Sequence, residues 1–222
     1  MTTPTDRQET SPEAAVGDWQ GDRRRSWRTR EILLIAVLAV AFTFLYIQWV
    51  PVWLAAKVFG GQIGQEAMFG FWMSAGVLGA YIIRRPGAAL GGELLAALAE
   101  VLLGAPAGVP LVITGIMQGL GAEIVFAARG YRDWRLSVLL VAGIVTALVA
   151  LPWNWFRLGY FELNPGYLVV LLVVRLMSGA VWAASAVVSS GSTVVVLIGT
   201  RDPLRPIARW STSLARVATV PG

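Results

Sequence analysis

Four ionisable residues stand inside long apolar stretches of this sequence: Glu93, Glu100, Glu123 and Arg175. In hydrocarbon each such group costs on the order of 3 kcal/mol unless it is paired or faces a polar cavity, so the default reading turns all four towards a bundle interior. Glu93 and Glu100 are seven residues apart, two turns along one helix face. Arg175 enters its own stretch to about 12 Å by the helical rise, between those glutamates in depth, which suggests an Arg175–Glu93 ion pair. Gln118 falls at a similar depth. Glu123 lies nearer the opposite end, within reach of Arg129 or Arg84, and continues the stripe Gly115, Gly119, Glu123. That spacing lets a second helix approach closely, so Glu123 is expected to be structural. Glu100 is the strongest candidate for function, because residues 104–108 beside it hold no basic group to neutralise it.

Other chemistries are closed to the chain. It contains no Cys and no His, which excludes disulfides, thiolate or imidazole metal sites and Ser–His or Cys–His nucleophiles. The sequence Ser189-Ser190-Gly191-Ser192 superficially resembles an intramembrane serine protease, but the histidine of its dyad is missing. No phosphate-cradling loop or dinucleotide fingerprint occurs either. An enzyme is not expected, and neither a metal nor a cofactor.

The elements that must position these groups follow from composition. Hydrophobic residues make up 56% and charged residues 14%, against roughly 45–50% and 25% in ordinary globular domains. Apolar blocks run over residues 32–50, 67–83, 87–103, 109–128, 136–151 and 167 to about 188. Each approaches the ~20 residues that carry a helix across ~30 Å of hydrocarbon, and none alternates as a barrel strand would. The expected fold is an all-α integral membrane protein, a bundle of six transmembrane helices over residues 31–200. Residues 1–30 read as a disordered basic tail and 201–222 as a C-terminal tail. The serine–glycine cluster at 189–192 reads as a point where the last helix bends or leaves the bilayer.

With the N-terminus in the cytoplasm, fifteen of the eighteen basic residues fall in inside segments and only Lys57 and Arg157 in outside loops. This asymmetry places both termini in the cytoplasm of a multi-pass plasma-membrane protein. It also accounts for the net charge of +5 through contact with the anionic leaflet rather than with nucleic acid. On the outer side, residues 152–167 interleave Trp153, Trp155, Tyr160 and Tyr167 with Asn154, Glu162 and Asn164, while a loop after the first helix carries Trp49, Trp53, Lys57, Gln62, Gln65 and Glu66. Some of these form an aromatic belt. Aromatics, amides and carboxylates above buried glutamates also suit a flat cationic ligand captured from outside.

The run Tyr81-Ile82-Ile83-Arg84-Arg85-Pro86-Gly87-Ala88-Ala89, followed by Glu93, Glu100 and Gln118-Gly119-Leu120-Gly121-Ala122-Glu123, resembles the YkoE family. Its members are S-components of energy-coupling-factor (ECF) transporters, associated with thiamine or its hydroxymethylpyrimidine precursor. The resemblance implies an outward pocket capped by the loop after helix 1 and walled by helices 4 to 6. It also implies a transmembrane coupling permease and two ATPase subunits as partners. On this reading Glu100 meets the aminopyrimidine or the cationic ring, while Gln118 and Asn154 or Asn164 bond the pyrimidine. Trp153, Tyr160, Tyr167 and Trp53 stack, and Glu66 is an outer attractor. S-components dock through an Ala-x-x-x-Ala pattern on helix 1; Ala36 and Ala39 are present, but Val40 interrupts the strict spacing. The rival reading is a stand-alone carrier that relays protons through the buried glutamates and Arg175. A purely structural membrane partner would leave the outer aromatic and acidic cluster without a role.

Overall fold

The computed structural model describes residues 27–199, with side chains placed to residue 185. Most of the expected N-terminal tail and all of the C-terminal one lie outside the described residues. Every regular element among the described residues is helical: α1 Thr29–Phe69, α2 Ser74–Ile83, α3 Ala88–Leu102, α4 Pro110–Ala128, α5 Leu136–Leu158 and α6 Pro165–Gly199. Short 3-10 turns at Gly70–Met73 and Tyr160–Glu162 precede α2 and α6. Four stretches are long and apolar enough to cross a membrane: Thr29–Ile83, Pro110–Ala128, Leu136–Leu158 and Pro165–Ser185.

The first helix departs most from expectation. It does not end before Pro51 but continues through it, and the expected outer loop is helical. Pro51 removes one backbone donor from an exposed face. In apolar surroundings no water replaces the remaining helical bonds, so the helix persists. The break comes at Gly61, with φ 58° and ψ −145°, a conformation open essentially to glycine alone. There the chain folds back. The Trp49 indole N–H donates to the Met68 carbonyl at 3.2 Å, its ring stacks on Phe71 at 4.3 Å, and Trp53 meets Trp72 edge-on. Residues 29–60 and 62–83 are therefore two antiparallel limbs of a hairpin.

Proline misleads in the same way at Pro152. Helix α5 passes it and extends to Leu158, placing Trp153, Asn154, Trp155 and Arg157 on a helix rather than in a loop. Helix α6 likewise runs through residues 189–192 to Gly199.

Small residues set the distances between helices. Gly115 and Gly119 of α4 press on the α3 backbone at Glu93 and Leu90, as their spacing suggested, and Gly143 of α5 faces Gly179 of α6 so closely that a Cβ on either would meet the other's carbonyl. One core gathers Ile35, Val77, Ala122, Phe126 and Leu139 at the arginine-bearing end. Ala39 packs inside a second core with Tyr46, Ala75 and Ala96, so it is turned away from any external docking face.

That end is held by the loop before α3. Glu123 accepts the N–H groups of Gly87, Ala89 and Leu90 and the Tyr131 hydroxyl, capping α3 rather than pairing with Arg129 or Arg84. Arg85 pairs with Glu31 at 2.8 Å, and Arg84 lies over the rings of Tyr81 and Trp134.

Candidate functional site

A cavity of about 260 Å³ lies at the opposite end, among α1, α3, α4, the α3–α4 loop and the end of α5. This is just below the common range for small-molecule sites. Each wall follows from a feature already described. The first limb of α1 brings Tyr46, Val50, Trp53 and Leu54; the return limb brings Gln65, Glu66 and Phe69; and Trp72 follows from the 3-10 turn. Helix α3 presents Glu93, Ala97 and Glu100 along one face, because residues spaced by three to four share a face. Thr114, Gly115 and Gln118 do the same on α4. The helical continuation past Pro152 contributes Asn154, Arg157 and Leu158, and the loop residues Ala105, Pro106 and Ala107 close the rim.

Of the residues expected from sequence to contact a ligand, Glu100, Gln118, Asn154, Tyr160, Trp53 and Glu66 line this cavity, as does Glu93. Three others do not. The Trp153 indole donates to the Thr114 hydroxyl at 3.1 Å, and Asn164 accepts the Gly166 N–H at the start of α6. The Tyr167 hydroxyl donates to Gln62 at 3.3 Å. Asn154 rather than Asn164 is therefore the asparagine at the cavity, and Trp53 and Tyr160 rather than Trp153 and Tyr167 are the rings. Among the described residues, α6 supplies no lining residue, although the pocket was expected to be walled by helices 4 to 6.

The ionisable groups sort differently from the sequence reading. Arg175 pairs with Glu66, Nη1 to Oε2 at 2.7 Å, and not with Glu93. Glu66 also accepts the Trp155 indole N–H at 3.0 Å and is buried, so it is not an outer attractor. The Glu93 carboxylate accepts the Gly76 N–H at 2.7 Å, one residue beyond Ala75, whose own N–H donates to the Tyr46 hydroxyl. That leaves Glu100, 4% exposed, with no hydrogen-bond or ion-pair partner among the described residues. Nearby, the side-chain amide nitrogens of Gln65 and Gln118 are buried and unpartnered. Buried polar groups are ordinarily hydrogen-bonded, and two such donors in one small cavity point to a ligand that accepts from them.

Tyr160 links the cavity to the return limb by donating to the Gln65 amide oxygen at 2.9 Å. Its burial, and next the negative charge of Glu66, push its phenol up to about 12. Among the lining residues three carboxyl groups face one basic side chain, Arg157, and Glu66 is already matched by Arg175. The remaining surface is aromatic and aliphatic. Such a site can stack a planar ring, donate amide N–H groups to its acceptors and receive a positive charge or an amino group at a carboxylate. Among the described residues, no three Asp, Glu, His or Cys side chains gather to hold a metal ion.

Sequence reasoning missed Tyr46, Phe69, Trp72 and Thr114. Gln65 carried a signal as a polar residue beside Glu66, but assigning both to a loop hid that they share the wall with Phe69, four residues after Gln65.

Comparison with known proteins agrees with this architecture. A family model described as an ABC-type cobalt transport system, permease component, matches residues 30–149. The putative HMP/thiamine permease protein YkoE of Bacillus subtilis (strain 168) is 40% identical over 159 residues, covering 72% of this chain and 80% of that protein. A crystal structure of an S-component of an ECF transporter superposes with a TM-score of 0.73 at 34% identity, covering 87% of this chain and 98% of that one. These relatives are transport components rather than enzymes. With a helical bundle built around one small polar–aromatic cavity, the chain belongs to the YkoE family of ECF-transporter S-components.

Proposed function

We propose that this protein captures thiamine or its hydroxymethylpyrimidine precursor from outside the cell for ATP-driven uptake by partner subunits. One observation supports the reading above others: the unpartnered Glu100 carboxylate lies in one cavity with the unpartnered amides of Gln65 and Gln118. An aminopyrimidine presents ring nitrogens that accept and an amino group that donates, matching amides and carboxylate respectively. Trp53, Trp72, Tyr46 and Tyr160 supply faces or edges for its ring. Glu100 or Glu93 would balance the positive thiazolium of thiamine. The relative in Bacillus subtilis is named for the same two compounds.

Six crossings are proposed: the two limbs of the hairpin and α3 to α6. The reversal at Gly61 supports the first pair. Both termini would then be cytoplasmic, as the arginine-rich end suggests, with the cavity opening outward. The basic tail 1–30 and the tail 201–222 would flank a membrane domain of residues 31–200. An ECF coupling permease and two ATPase subunits would supply the energy, since the sequence has no nucleotide-binding motif of its own. Ala36, half-buried, remains available to a helix-1 docking face.

Calorimetric titration of the detergent-purified protein with thiamine and with hydroxymethylpyrimidine, alongside Glu100→Gln, tests the assignment. Thiamine should bind the native protein and bind the variant at least about tenfold more weakly, the scale of one charged hydrogen bond. Binding of the precursor alone would shift the function to pyrimidine salvage. If folded protein binds neither, the proton-coupled carrier takes precedence.

A further inference from the structure

The most deeply buried charge in the bundle stands behind the cavity wall, not in it. Arg175 is fully buried on α6, a helix that contributes nothing to the cavity lining among the described residues. Its guanidinium makes three directed contacts: Nη1 to Glu66 at 2.7 Å, Nε to the Ala147 carbonyl at 3.1 Å, and its plane over the Phe69 ring with Cζ 3.5 Å from the centroid. Glu66 and Phe69 both line the cavity, as does Gln65 beside them. The rest of the return limb is tied to α5, α6 and the 3-10 turn between them in the same sense. Tyr160 donates to Gln65, Trp155 to Glu66 and the Ser178 hydroxyl to the Ala67 carbonyl, while the Gly70 N–H donates to Ser178.

A buried ion pair contributes little net stability compared with apolar packing of the same shape. What it supplies is direction. A guanidinium that engages a carboxylate, a carbonyl and a ring at once fixes one geometry, which a lysine ammonium cannot reproduce.

We propose that Arg175 is a positioning residue: through Glu66 and Phe69 it holds residues 62–69 as a rigid wall that presents Gln65 to the ligand. The proposal rests on reading the cavity as the ligand site, but its first consequence is measurable without ligand. Because the chain contains no cysteine, a single cysteine can carry a spin label. Ile63, 38% exposed, reports on the return limb, and Val169, 60% exposed on α6, serves as the control.

The variants are Arg175→Lys and the neutral pair Glu66→Gln/Arg175→Met, which leaves no unpaired charge and so guards against simple failure to fold. In both, the label at position 63 should become more mobile while that at 169 keeps its native spectrum. Calorimetry should show thiamine binding weakened about tenfold, equivalent to roughly 1.4 kcal/mol. An unchanged spectrum at 63 in both variants overturns the positioning role, as does native affinity in Arg175→Lys. Full recovery of affinity in the neutral pair also overturns it, since charge balance alone would then suffice. If the native protein binds neither thiamine nor hydroxymethylpyrimidine, the ligand reading fails, while added mobility at 63 alone still supports the anchor.

Discussion

Glu123 shows what one carboxylate does when it caps backbone rather than pairing with a cation. Gly87, Ala89 and Leu90 direct their N–H groups at it from the first turn of α3, where no intrahelical acceptor exists. Glu123→Ala should therefore lower stability by about 1–3 kcal/mol, the cost of stranding such donors. Thermal unfolding in detergent should register this, with ligand affinity unchanged because Glu123 does not line the cavity. Tyr160 gives a pH signature. Its folded-state phenol, at about 12, lies above the ordinary value of 10.0. Its contribution is thus intact below pH 10 and lost as pH rises towards 12. The alkaline difference spectrum of the native protein minus that of Tyr160→Phe should show a phenol that titrates near pH 12 rather than near 10. The sequence made Glu123 legible as structural and Glu100 as unneutralised, because a charge in an apolar block stands out by itself. The partner of Arg175 was not legible, since Glu66 reaches it only after the chain reverses at Gly61.

At the scale of elements, helix starts and stops were readable wherever glycine or a polar turn intervened. The limits of α3 and α4 differ from the apolar blocks by a residue, and α5 begins where expected. They were misread at Pro51 and Pro152, because proline's rule as a helix breaker assumes water ready to satisfy freed carbonyls. Gly61 carries the reversal expected of a whole loop after residue 50. Gly60 and Gly61 make a matched pair for testing this. A Cβ at Gly60 meets nothing within 4 Å, whereas Gly61 sits at φ +58°. Gly61→Ala should cost about 1–3 kcal/mol as backbone strain, and Gly60→Ala should be near neutral. Paired melting curves would check it; equal melting temperatures would show that the hairpin tolerates an ordinary residue.

For the whole molecule, the two ends of the bundle differ in charge and in task. Arg30 of α1, Arg84 and Arg85 between α2 and α3, and the arginines of the α4–α5 loop gather at one end and the cavity lies towards the other, so sidedness can be read by labelling. In a cysteine-free background, Phe59→Cys at the hairpin tip should react with an impermeant maleimide in intact cells. Arg132→Cys should react only after permeabilisation. The reverse pattern would invert the topology. The lengths of the helices carry a consequence for the lipid itself. Helix α3 has 15 residues and α6 has 35, about 22 Å and 52 Å of rod in hydrocarbon about 30 Å thick. No single flat bilayer suits both. If both cross, as the six proposed crossings require, the membrane thins beside α3 and either thickens or sees α6 lean and overhang. On that arrangement acyl-chain length becomes a thermodynamic variable of this protein, so that the thickness of its membrane enters its stability.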